Sequence, residues 1–253
     1  GSKGQLGRCL KDQLKDKDHS VIYSSRKQID ITNFSAVKKN ILDIKPNIII
    51  NAAAYTAVDK AEEDKELTNL INNMAVANLA SICYQTDCWL LHVSTDYVFD
   101  GNSSTPYKES DPTNPQGAYG LSKLLGEESI QSSGCKYLIF RTAWVYSEYG
   151  DNFLKTMLNL GKNHSELNIV HDQIGCPTYA QEIASAIVTV ITHIKTEELS
   201  SGIYNFCGNR ICSWYEFAQE IFISAAQLGI AIPKKINPIN SAEFITKAKR
   251  PGY

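Results

Sequence analysis

Three residues have the types and spacing to reduce a carbonyl. Thr95 ends the apolar run Trp89-Leu90-Leu91-His92-Val93-Ser94, and Tyr119 and Lys123 follow a polar loop, four positions apart. On a helix, positions i and i+4 lie on one face about one turn apart. A phenol beside an ammonium ionises more readily, because the positive charge favours the phenolate. Such a phenol can give a proton to a carbonyl oxygen near neutral pH, while a neighbouring hydroxyl (Thr95, or Ser94 beside it) donates a hydrogen bond to the same oxygen. A lone tyrosine at a helix start is more often packing than chemistry. Here it occurs together with Thr95-Asp96-Tyr97 at a strand end and a glycine loop at the start of the chain.

That loop, Gly1-Ser2-Lys3-Gly4-Gln5-Leu6-Gly7, runs into the amphipathic stretch Arg8-Cys9-Leu10-Lys11-Asp12-Gln13-Leu14. Glycines in such a place let the backbone approach a pyrophosphate, whose charge sits at the helix N-terminus. Gly1, Gly4, Gln5 and Leu6 are therefore the expected cradle. A dinucleotide-binding unit has a strand before this loop, so the first strand of the fold is expected to be missing from the chain as given. Residues 20–24 read as the second strand. Its end meets the adenosine ribose in this kind of fold, with an acid for a 2′-hydroxyl or a base for a 2′-phosphate. Ser24-Ser25-Arg26-Lys27 holds no acid, so Ser25 and Arg26 favour NADPH, with NADH the alternative; the competing reading makes Arg26 and Lys27 a solvated turn. Asp30 and Ile31 are placed beside the adenine, and Thr32 or Asn33 caps the next helix.

Lys45-Pro46-Asn47-Ile48-Ile49-Ile50-Asn51 reads as a fully buried parallel strand. It ends in Ala52-Ala53-Ala54-Tyr55, small residues that leave room for a flat group across the strand end, where ligands sit in open parallel sheets. Ala53, Ala54, Tyr55 and Val93 of the neighbouring strand are thus expected to border the cofactor. Residues 59–84 have helical periodicity, 118–131 form the helix that carries Tyr119 and Lys123, and 137–142 form the next strand. This alternation predicts an α/β, Rossmann-like doubly wound parallel sheet over residues 1–150. Residues 151–253 are expected to form a smaller substrate-binding lobe, with some chain returning to the main sheet and a Ser213–Glu216 capping box opening one of its helices. The end of the chain is Pro-rich and irregular, and further elements are expected beyond it.

Composition narrows the classes. The chain has 253 residues and a formal net charge of −2, which implies no bulk attraction to nucleic acid or an anionic membrane. No apolar run approaches the ~20 residues of a membrane span. Seven scattered cysteines without a Cys-x-x-Cys favour a cytoplasmic protein with reduced thiols, and five dispersed histidines show no metal-ligand spacing, so no metal is expected.

Together, Gly4-Gln5-Leu6-Gly7, the run from Asn51 to Glu62, Ser94-Thr95-Asp96-Tyr97-Val98-Phe99-Asp100-Gly101, Asn114-Pro115 with Tyr119-Gly120 and Lys123, Arg141-Thr142-Ala143-Trp144-Val145-Tyr146, Asn152-Phe153, Asp172-Gln173 with Pro177-Thr178, and Lys249-Arg250-Pro251 resemble the dTDP-4-dehydrorhamnose reductase family, the RmlD-type branch of the extended short-chain dehydrogenases/reductases. The resemblance spans the chain in order. It implies reduction of the C4 ketone of dTDP-4-dehydro-L-rhamnose by NAD(P)H, in the making of a cell-surface polysaccharide precursor. It further implies Tyr119 as proton donor, Thr95 on the carbonyl oxygen and Lys123 on the nicotinamide ribose. Thr56, Val58, Asp96, Tyr97 and Trp144 are implied as contacts of the sugar nucleotide. The expected partner is thus a dTDP-sugar, the assembly a monomer or homodimer. Some family members join a dimer through Mg and carboxylates, one on the first helix; Cys9 stands at that position here. Two other readings remain at this stage: a sugar-nucleotide epimerase or dehydratase that retains NAD⁺, and a non-catalytic regulatory subunit on the same fold.

Overall fold

A computed structural model describes residues 1–195 and 199–253. In chain order the elements begin with α1 (Gln5–Leu14), α2 (Phe34–Ile44), β1 (Ile48–Asn51), the short α3 (Val58–Ala61) and α4 (Lys65–Asn69), a π-helical turn (Leu70–Met74) and α5 (Ala75–Thr86). Then come β2 (Trp89–Thr95), a 3₁₀ turn (Asp96–Val98), α6 (Ala118–Ser132), β3 (Tyr137–Thr142), β4 (Val145–Tyr146), α7 (Phe153–Asn163), β5 (Glu166–Val170), β6 (Ile174–Gly175) and β7 (Thr178–Tyr179). The last are α8 (Ala180–Lys195), β8 (Gly202–Asn205), β9 (Cys212–Ser213), α9 (Trp214–Gln227), β10 (Lys235–Ile239) and a 3₁₀ turn (Ser241–Glu243).

Four parallel strands in the order β1-β2-β3-β8 form the central sheet among the described residues. Parallel strands put their C-terminal ends on one edge, so Asn51, Thr95 and Thr142 emerge together. Two apolar layers sandwich the sheet. On one side Val37 and Ile41 of α2, Val76, Leu79 and Ile82 of α5 and Ile130 of α6 pack with Leu90 and Ile139. On the other, Cys9, Leu10 and Leu14 of α1 pack with Ile183, Ile187 and Ile191 of α8 over Leu91, Leu138 and Phe140. Burial on both faces is why these strands read as continuous apolar runs rather than alternating ones. A third cluster joins Met157 on α7, Ile169 on β5 and Phe217, Ile221 and Phe222 on α9, with Trp144, Phe153 and Trp214 packed against it. Chain from beyond residue 150 therefore divides: α8 and β8 complete the sheet layers, while α7, α9 and the parallel β5–β10 pair surround the third cluster.

Three local expectations change. Residues 20–24 belong to no ladder; Ser24 O accepts from Ser2 N at 3.4 Å, and a strand needs a strand beside it to pair. The helix expected over 59–84 is interrupted, with a π turn where Asn72 reaches sideways to the backbone of Tyr55. The irregular tail contains β10, which carries Pro238 while pairing with β5 on one side. Asn33 is the cap of α2, accepting from Ala36 N, and the Ser213–Glu216 capping box opens α9. No helix among the described residues is long and apolar enough to cross a membrane. Cys9 is fully buried beneath α8.

Candidate active site

The α6 helix opens at Gly117 without a side-chain cap; instead Glu62 Oε1 accepts from Ala118 N at 2.7 Å, tying the helix start to α3. Tyr119, Lys123 and Glu127 then recur every fourth residue on the face toward the sheet. Glu127 is fully buried and holds Arg141 of β3 through Nε at 3.1 Å and Nη2 at 2.7 Å, a bidentate pair that fixes helix against strand. Lys123, only 1% exposed, donates to Val93 O at 2.6 Å and lies 3.1 Å from His92 Nε2. Burial pushes its amine down to about 8, with the Glu127 charge acting against that shift.

Thr95 Oγ1 donates to Asp96 Oδ1 at 2.9 Å and accepts from Tyr97 N at 3.3 Å. The same hydroxyl stands beside the phenol of Tyr119, whose ring meets Tyr97 edge-on at 5.5 Å. Tyr119 and Asp96 keep part of their surface open at the strand-end edge of the sheet. The surrounding protein desolvates both groups. Burial raises the Tyr119 phenol, the Thr95 hydroxyl opposes that rise, and Asp96 and Tyr97 add to it. Burial likewise pushes the Asp96 carboxyl up to about 6. The sequence reading has the Lys123 charge easing ionisation of Tyr119. In the structure the amine is engaged by Val93 and His92, and the phenol answers to burial and to Thr95.

The glycine loop packs tightly on the strand ends. A Cβ on Gly1 would lie 2.3 Å from Ala52 C, and one on Gly7 would lie 2.3 Å from Gly1 O, so neither position admits a side chain. A Cβ on Gly4 would make only an ordinary contact, with Gly1 O at 3.4 Å, and the first backbone N–H groups of α1 (Gln5, Leu6) point out of the helix start with no side-chain cap. Ala53 is half-buried and Ala54 exposed beside them. Tyr55 is anchored at its backbone by Asn72 and at its hydroxyl by Asp64 (2.7 Å). An uncapped helix N-terminus, a glycine-rich loop and an alanine strand end fit a dinucleotide's pyrophosphate and flat ring. Ser25 N and Oγ bind Gln28 Oε1 (2.9 and 2.7 Å), Arg26 extends into solvent 3.7 Å from Asp30, and Ile31 turns into the core. These four thus share one turn next to the loop, where Ser2 meets Ser24.

Beyond the alanine-rich strand end, Thr56 is exposed and Val58 starts α3. Trp144 adopts a left-handed backbone (φ 46°) and stacks on Trp214 at 3.4 Å. Such a φ is uncommon for a bulky residue and is held here by its surroundings. Arg250 Nη2 donates to Asp59 Oδ2 at 2.8 Å, and its positive charge opposes the rise that burial imposes on the Tyr97 phenol. Ala248 N donates to Asp59 Oδ1, Lys247 pairs with Glu63, and Lys249 Nζ reaches Gln116 at 2.9 Å, so the tail straps across α3. The sequence reading assigned no role to Asp59, Arg250, Trp214, Asn51 or His92. Its available signals were Arg250 within Lys249-Arg250-Pro251 and a histidine set in an apolar strand.

A family model described as the RmlD substrate binding domain matches residues 1–253. This chain belongs to the RmlD family. It is 44% identical over 254 residues to the dTDP-4-dehydrorhamnose reductase of Aggregatibacter actinomycetemcomitans, covering 99% of this chain and 86% of that protein. It superposes on a dTDP-4-dehydrorhamnose reductase structure from Clostridium acetobutylicum with a TM-score of 0.93 at 45% identity, covering 100% of this chain and 86% of that one. The Bacillus anthracis dTDP-4-dehydrorhamnose reductase, solved in complex with NADP, gives a TM-score of 0.92 at 38% identity over 100% of this chain and 86% of that one. RmlD membership accords with the α/β fold and the single strand-end edge that gathers Thr95, Tyr119 and Lys123.

Proposed function

We propose that this RmlD-family chain reduces the C4 ketone of dTDP-4-dehydro-L-rhamnose to give dTDP-L-rhamnose, a precursor of cell-surface polysaccharide. The observation that carries the reading is the meeting of Thr95 and Tyr119 at the sheet edge, with Lys123 one turn behind Tyr119. NADPH, when bound, supplies the hydride that reduces the carbonyl carbon; NADH is the alternative donor. Gly1, Gly4, Gln5 and Leu6 hold its pyrophosphate, Ser25 and Arg26 its adenosine ribose, Asp30 and Ile31 the adenine, and Ala53, Ala54, Tyr55 and Val93 the nicotinamide side.

Charge developing on the sugar oxygen is met by two donors. Tyr119 transfers its phenolic proton to that oxygen, and Thr95 turns its hydroxyl from Asp96 to donate to the same atom. A phenol held neutral by burial arrives with its proton in place, as an acid requires. Lys123 binds the ribose hydroxyls and positions the ring. Thr56, Val58, Asp96, Tyr97 and Trp144 orient the sugar nucleotide, and the lobe drawn from residues 151–253 closes over it. The setting is the cytoplasm, and the working unit is a monomer or homodimer.

The test is direct. The protein is incubated with dTDP-4-dehydro-L-rhamnose, oxidation of NADPH and NADH is followed separately, and products are resolved by mass spectrometry. One dTDP-L-rhamnose formed per NADPH oxidised is the expected result. Folded protein that oxidises neither cofactor with this sugar contradicts the assignment.

A further inference from the structure

His92 is a buried ionisable group that the proposed reaction does not use. It lies in the middle of β2, fully enclosed, between Asn51 of β1 and Lys123 of α6. Asn51 Nδ2 is 3.1 Å from His92 Nδ1, and His92 Nε2 is 3.1 Å from Lys123 Nζ. The Asn51 amide is oriented by a third contact: its Oδ1 accepts from Ala53 N at 3.1 Å, so the NH₂ group faces the imidazole. An amide NH₂ only donates, so His92 Nδ1 accepts and carries no proton. A neutral imidazole then bears its proton on Nε2, pointing at Lys123.

That arrangement constrains the amine. An ammonium at Lys123 would set N–H against N–H at 3.1 Å. A neutral amine instead accepts from Nε2–H with its lone pair and still donates one N–H to Val93 O at 2.6 Å. The opposite tautomer, with Nδ1 protonated, puts two donors face to face at Asn51, or forces the amide to turn over and abandon Ala53 N. We propose that His92, oriented by Asn51, is a positioning residue that favours the neutral form of the Lys123 amine over its ammonium in the dinucleotide-free protein.

The other charged groups around Lys123 leave this balance in place. Glu127, on its own helix, favours the ammonium but is committed to Arg141 of β3. Asp96, beyond the end of β2, acts on Tyr119. Tyr119 is held neutral by burial. His92 is itself kept far from protonation, by burial first and then by Lys123.

The inference rests on the reading of Lys123 as part of the active site, and its test is independent of turnover. Protein carrying ¹⁵N-labelled histidine and lysine is studied by NMR without nucleotide. His92 is expected as the Nε2–H tautomer, and the Lys123 amine is expected to titrate near pH 8. His92→Gln offers a carbonyl oxygen that can accept from an ammonium. The Lys123 midpoint should then rise by about one pH unit or more, a tenfold change in proton affinity. An Nδ1–H tautomer in the unsubstituted protein overturns the proposal, as does a midpoint that His92→Gln leaves in place. Failure of ketone reduction bears on the proposed function alone, because both readouts come from His92 and Lys123 themselves.

Discussion

Glu127 with Arg141, joining α6 to the sheet, and Asp59 with Arg250, joining α3 to the tail, are both carboxylate–guanidinium pairs. Their surroundings differ. The first pair has side chains 0% and 5% exposed, joins a helix to the strand beneath it, and has Phe99 under the guanidinium at 5.0 Å. The second has side chains 41% and 25% exposed and ties a loop-like tail to a one-turn helix. A buried charge left without its partner is costly, whereas an exposed pair contributes only ~0.2–1 kcal/mol. The wall proposed to donate the proton is therefore built to stay fixed. The wall proposed to receive the sugar nucleotide is held by contacts weak enough to exchange. On that reading, chemistry that needs sub-ångström alignment sits on regular elements, while the side that admits and releases a substrate is strapped by a tail.

Each wall can be broken separately. The largest effect is expected from Tyr119→Phe, which keeps the ring against Tyr97 but removes the proton. Reductase turnover should fall by roughly 10²–10⁴-fold while NADPH affinity by calorimetry stays unchanged. Turnover near that of the unsubstituted protein at neutral pH removes Tyr119 from the acid role. Next comes Glu127→Gln, which leaves Arg141 buried and uncompensated. Denaturant unfolding should show a loss of about 3–5 kcal/mol. Replacing both partners by methionine should recover much of that loss; if single and double variants are equally stable, the pair does not fix α6. The smallest effect belongs to Arg250→Ala. It should cost about 1 kcal/mol or less in unfolding and act on the KM for the sugar nucleotide more than on kcat. A kcat loss comparable to that of Tyr119→Phe would erase the distinction between the walls.

Much of the sheet side is legible in the chain itself. The apolar runs of β1, β2 and β3 announce parallel strands because both faces are buried, and the Tyr119–Lys123 spacing announces a shared helix face because α-helical geometry is local. Gly1 and Gly7 mark a close approach that only the absence of a side chain permits. The capping box at Ser213 is readable because cap and acceptor lie three residues apart.

What stays hidden is whatever depends on partners distant in sequence. Residues 20–24 have a strand's composition, but ladder pairing belongs to two segments, and a single run cannot show whether its neighbour is there. Asn72, read as one more helical residue, bends its helix into a π turn because Tyr55 and Ser122 both bond its side chain. Arg250 finds Asp59 across 191 positions. The sequence by itself determined the layer architecture, the glycine cradle and which side chains share a helix face, because those follow from backbone geometry and short-range periodicity. Only the tertiary structure decided the state of those side chains. Lys123 meets Val93 and His92 because β2 lies beneath α6, and burial then sets how readily Lys123 and Tyr119 hold their protons. Desolvation and pairing are properties of the packed interior, which no stretch of sequence contains alone.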